Sequence, residues 1–132
     1  MEFKPLKIEA DIMWASLSTP NKMSGKYQVD LCNLSDNAIR ALEDQGVNVR
    51  NEEGKGFFVT AKSKNYPITA VSKDGSPINV KVGNGSRGVA LVKPYAYKYN
   101  GKPGVSAGIS KLIVTELIEY EENEVETTEG AL

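Results

Sequence analysis

Tyr95, Tyr97 and Tyr99 are spaced two apart, with Ala96 and Lys98 between them. On a strand this spacing projects all three rings from one face, about 6 to 7 Å apart. Flat rings at such intervals can stack on successive unpaired bases, each stack contributing about 1–3 kcal/mol, while nearby cations hold the phosphates. Lys93, Lys98, Lys102 and Lys111 lie around them in the chain. A second grouping has the same ingredients. Phe58, Thr60, Lys62 and Lys64 fall on one face of a strand, opposite Phe57, Val59 and Ala61. An aromatic, a hydroxyl and two cations make an odd core face, so that side is expected to meet a ligand and the Val/Ala side to turn inward. The competing reading is that some rings only fill a core and that the cations form an ordinary solvated face.

Charge is sorted along the chain. Between positions 55 and 115 stand ten basic residues and one acid, Asp74. From Glu116 to the end there are seven glutamates and no lysine or arginine. The formal net charge of −1 therefore hides a cationic block followed by an anionic tail. Such a block attracts polyanions at long range. The tail residues Glu119, Glu121, Glu122, Glu124, Glu126 and Glu129 are built-in competitors for the same surface, although acidic termini also serve simply as solubilising segments.

Other chemistries are poorly supported. The chain has no histidine, hence no usual general base and no His-dependent triad. One cysteine, Cys32, can form neither an internal disulfide nor a zinc site of the common Cys/His kind. No cofactor or metal is expected, and no enzymatic activity. Gly83-Asn84-Gly85-Ser86-Arg87-Gly88 matches GxGxxG, but a dinucleotide site requires a helix next, and Val89 to Tyr95 is strand-like with a proline. The segment reads as a flexible β connection with Arg87 at its tip, within reach of a phosphate. Acid pairs such as Glu52-Glu53 sit in polar contexts suited to solvated side chains.

The elements that must position these residues are mostly strands. Leu6, Ile8, Ala10, Ile12 and Trp14 alternate with polar neighbours, which predicts a long strand with Trp14 in the core or at its rim. Tyr27, Val29 and Leu31 predict a second strand. One helix is expected from Ser35, its N-cap, to Gln45, with Gly46 as the stop. Positions 48 to 56 read as a mobile polar connection. Further strands are expected at 56–64, 66–72, 78–82, 89–99 and 105–118, with turns at Lys73–Ser76 and Asn100–Gly104. At 132 residues and 40% hydrophobic content this is one domain, residues 1–118, followed by a disordered tail, 119–132. Strands this long in a small protein predict an all-β fold with one short helix, an OB-like antiparallel barrel of five or six strands. No apolar run approaches a membrane span or a secretory signal, so the cytoplasm is the expected compartment.

Ser24–Leu31, the helix at Ser35–Gln45, Val92–Tyr99, the glycine-containing hairpin at Asn100–Gly108 and the terminal glutamates together resemble the acidic-tailed single-stranded-DNA-binding proteins of tailed bacteriophages, of the podophage helix-destabilising type. The resemblance spans nearly the whole chain in order of elements. It implies an OB fold with a helix after the second strand, protection of single-stranded DNA in phage replication and recombination within the infected host cell, and a tail that contacts a DNA polymerase or helicase–primase. The family often ends in an aromatic residue. This chain ends Gly130-Ala131-Leu132, which departs from that pattern. The candidate DNA-binding residues are thus Phe58, Lys62, Lys64, Arg87, Lys93, Tyr95, Tyr97, Lys98, Tyr99, Lys102 and Lys111. RNA could use the same surface, and a homodimer is compatible with the sequence. From a different class, a β-barrel protein–protein adaptor or inhibitor would present the cationic block to an acidic partner.

Overall fold

The computed structural model describes residues 3–17, 25–63, 66–78 and 80–118. Among these residues seven strands and one helix follow in order: β1 Leu6–Ser16, β2 Tyr27–Cys32, α1 Asp36–Asp44, β3 Arg50–Glu52, β4 Gly56–Ser63, β5 Thr69–Ser72, β6 Ser86–Tyr99 and β7 Lys102–Glu116. Alternation decides which side of each strand faces in. Ile8, Ala10 and Ile12 of β1 are buried, as are Val29 and Leu31 of β2 and Val59 and Ala61 of β4. Ala90 and Val92 of β6 meet Leu112 and Val114 of β7 in the same cluster.

The sheet runs β3-β4-β2-β1-β6-β7-β5, and β4 also pairs with β7. That last pairing, parallel and marked by Lys62 opposite Gly108, closes β1, β2, β4, β7 and β6 into a five-stranded barrel of OB type. Helix α1 covers one end. Ser35 caps it by accepting a hydrogen bond from the Ala38 N–H at 3.1 Å, and Gly46 at φ +91° lets the chain turn away. Leu42, Leu34 and Val47 enter the core from this end, where a Cβ on Gly46 would touch Val105.

Past the barrel, β6 and β7 continue as a two-stranded ribbon. β1 pairs with β6 only as far as Leu6 opposite Val92, and Pro94 follows shortly. The ribbon turns at Asn100-Gly101, both with positive φ, so the two-residue turn matches the right-handed twist of its strands and β7 resumes at Lys102.

Several expectations are corrected. The polar stretch 48–56 is not a loose connection: β3 pairs with β4 through Arg50–Phe58, Asn51–Phe57 and Glu52–Gly56. The strand expected at 66–72 is shorter, β5 at Thr69–Ser72, and runs parallel to β7 rather than antiparallel. Ile78–Val82 forms no strand among the described residues. Pro77, which has no N–H to donate, makes only an isolated bridge to Val71. Gly83–Gly88 is not wholly a loop, because β6 begins at Ser86 and a strand, not a helix, follows the glycines. The third glycine has a packing reason. A Cβ on Gly88 would lie 2.5 Å from the Ile113 carbonyl oxygen. The acidic tail and Lys64 lie outside the described residues.

Candidate nucleic-acid interface

The ribbon brings the three tyrosines to one face, as the spacing requires. Tyr95, Tyr97 and Tyr99 are 38%, 46% and 72% exposed, while Pro94 turns inward. Across from them on β7 stand Ser106, Gly104 and Lys102. Two glycines shape the surface. A Cβ placed on Gly104 would fall 2.5 Å from Tyr97 Cζ, and one on Gly108 would fall 3.1 Å from Tyr95 Cδ1. Both rings therefore lie down across bare backbone, and a ring lying flat offers its other face outward. Larger residues at 104 or 108 would prop the rings up.

Cations border this platform. Lys93 pairs with Gly108, Lys102 with Tyr99 and Lys111 with Leu91 on the same outer face, and Lys62 reaches it from β4. Lys98 lies on the opposite face of the ribbon and is exposed. Among the described residues, none of Lys62, Lys93, Lys98, Lys102 or Lys111 forms an ion pair. Their charge is left to the solvent.

Phe58 and Arg87 are placed otherwise than expected. Phe58 is on the outer side of β4, yet it is only 2% exposed. The Arg50 guanidinium and the Lys55 ammonium lie over its ring, 4.7 and 4.6 Å from the centroid. Lys55 also pairs with buried Asp30 at 2.8 Å. Asp30 accepts from the Thr60 hydroxyl at 2.7 Å, and Thr60 Oγ1 in turn accepts from Arg50 at 3.2 Å. The hydrogen bond to Asp30 raises the Lys55 pKa, while burial and the Asp30 charge push the Cys32 thiol up to about 11. No base can reach Phe58 while this cover is in place. Arg87 is in β6, opposite Asp11, and it is claimed by Asp11 at 2.7 Å and Glu9 at 3.4 Å. These carboxylates compete directly with any phosphate.

The chain shares its architecture with solved structures of known phage proteins. Against gp2.5, a single-stranded DNA binding protein encoded by bacteriophage T7, the TM-score is 0.60 at 16% identity, covering 98% of this chain and 96% of that one. Against the single-stranded DNA-binding protein from bacteriophage Enc34 it is 0.66 at 8% identity, covering 95% and 88%. The Enc34 protein in complex with single-stranded DNA gives 0.64 at 8% identity, covering 89% and 88%. The fold is theirs. No protein-family model and no curated protein matches the sequence.

Three exposed rings escaped the sequence reading. Phe57, at the start of β4 on the side expected to turn inward with Val59 and Ala61, is 45% exposed. Trp14 is 59% exposed rather than core or rim, because β1 bulges between Met13 and Ser16 and Trp14 adopts φ +50°. Tyr66 is exposed as well, in the segment leading to Ile68, whose N–H bonds the Leu17 carbonyl. Nothing in a period-two pattern announces a bulge. Among the described residues no group of three or more His, Cys, Asp or Glu could hold a metal ion, and no helix is long and apolar enough to cross a membrane.

Proposed function

We propose that this chain binds single-stranded DNA with little sequence preference, without catalysis, in phage DNA replication and recombination. The observation that carries the reading is the ribbon platform: tyrosine rings laid flat across glycine backbone and bordered by lysines that have no acidic partner among the described residues. Bases of any identity present a π-face to such a surface, and the lysines track the phosphates. The solved Enc34 complex with single-stranded DNA, on the same fold, supports this choice of ligand. The platform residues are Tyr95, Tyr97, Tyr99, Lys62, Lys93, Lys102 and Lys111, with Lys98 adding charge from the reverse of the ribbon.

The glutamate-rich tail competes with DNA for this surface in the free protein and is available to replication proteins such as a polymerase or helicase–primase. Its root supports the reading. The Ile118 carbonyl accepts from the Gly83 N–H at 2.6 Å and from the Ser86 hydroxyl, so the tail starts from a fixed point on the barrel.

The test compares labelled single-stranded and duplex DNA by gel shift at two or more salt concentrations. Single-stranded DNA should bind more tightly. With five or six phosphates neutralised, log K should fall against log salt with a slope of about −4. Ending the chain after Ile118 should tighten binding, most at low salt. Equal binding of both DNA forms, or none, sinks the proposal and leaves the adaptor reading standing.

A further inference from the structure

We propose that Trp14 is a base-stacking residue at the far end of the same DNA path, so that the strand runs from the tyrosine ribbon across Lys62 to Trp14. This inference rests on the single-stranded-DNA reading above and adds to it a residue in a separate part of the chain.

The register makes the connection. Ser16 pairs with Gln28, Gln28 with Lys62, Lys62 with Gly108, and Gly108 with Lys93. These pairings form one unbroken rung across all five barrel strands. Tyr95, whose ring lies over Gly108, stands at one end of the rung. The bulge that carries Trp14 stands at the other. Four strand-to-strand steps separate the ends, on the order of 19 Å along the curved surface. That distance is a few nucleotides of extended strand, and Lys62 lies between the two aromatic ends.

The local backbone points the same way. Alternation along β1 would send position 14 inward behind Ile8, Ala10 and Ile12. The extra residue of the bulge turns it outward instead. A bulky aromatic at positive φ is a strained choice where glycine would be comfortable. The strain is held in place: the Trp14 N–H donates to Asn84 Oδ1 at 2.8 Å, and the Gly85 N–H donates to the Ile12 carbonyl at 3.0 Å. Strained residues persist where the surroundings over-determine them, commonly at ligand sites. The ring held at that cost is largely exposed and lies outside the core cluster of the described residues.

The protein supplies its own probe, since Trp14 is the only tryptophan. The full chain is titrated with fluorescein-labelled dT of about 16 nucleotides, within the site sizes of such folds, and label anisotropy and tryptophan emission are followed together. Emission should be quenched over the concentrations at which anisotropy rises. Trp14→Ala should weaken binding about 5- to 100-fold, the loss of one stacked base, and Trp14→Phe should restore most of it. Trp14→Gly relieves the positive φ, so it should weaken binding like Trp14→Ala while leaving Tm unchanged or higher. Binding without an emission change, with Trp14→Ala binding as tightly as the parent, overturns the Trp14 assignment and spares the DNA reading. A loss of affinity that only follows a falling Tm, again without quenching, also overturns it. If no dT binds at all, both readings fall together.

Discussion

Two regions of this protein are made of the same materials and do opposite things with them. At Phe58 an aromatic ring sits beneath Arg50 and Lys55, and both cations are tied by Asp30 and Thr60 into a closed network. On the ribbon the rings of Tyr95, Tyr97 and Tyr99 are open, and among the described residues Lys93 and Lys102 form no ion pair. The difference is one acidic residue and one short strand. Asp30, half a chain away from the ribbon, turns Lys55 into a brace, and β3 folds back to roof the ring. Where neither exists, ring and cation stay available to a ligand.

Substitutions can sharpen this contrast. Phe58→Ala should lower the unfolding free energy by about 3 kcal/mol, measured by urea denaturation, and leave the DNA affinity of the folded fraction unchanged. Affinity that drops with stability intact would move Phe58 to the open group. Lys55→Met should cost about 2 kcal/mol at pH 8, because it strands buried Asp30, with a discount for partial exposure. The Lys55 pKa is raised in the folded state from 10.5. Its contribution is therefore complete below that pH, and the gap between variant and parent should close only as pH climbs through the raised value.

The ribbon should behave the other way round. Tyr97→Ala should weaken DNA binding by about 1–3 kcal/mol without changing Tm. Gly104→Ala should mimic it, since the new methyl displaces the ring while leaving it in the sequence. Smallest of all, Lys93→Gln should make the salt slope shallower by about 0.7, the value of one single-strand phosphate contact. An unchanged slope would mean that Lys93 faces no phosphate.

The barrel was legible because its strands keep strict alternation: Ile8, Ala10 and Ile12, or Val29 and Leu31, declare their buried side without help from the rest of the chain. The helix declared itself through Ser35 and Gly46, and the tyrosine face through its spacing. Two of the misreadings share a cause, which is a partner distant in sequence. Arg87 looks like a free loop cation until β1 delivers Glu9 and Asp11 to it. Phe58 looks like a ligand face until β3 covers it. Trp14 looks like core because one extra residue in a ladder leaves no compositional trace. Alternation assigns faces strand by strand, whereas coverage and charge neutralisation depend on which strands become neighbours.

A chain that binds DNA as proposed would have to sit beside its own copies without fusing to them. The ribbon extends past the last residue that β1 covers, a bare margin of the kind on which chains nucleate shared sheets. Pro94 stands almost at that margin's start and has no amide hydrogen to lend a newcomer. On that proposal, the proline would leave crowded molecules joined through the nucleic acid they share, and free to part when it is taken away.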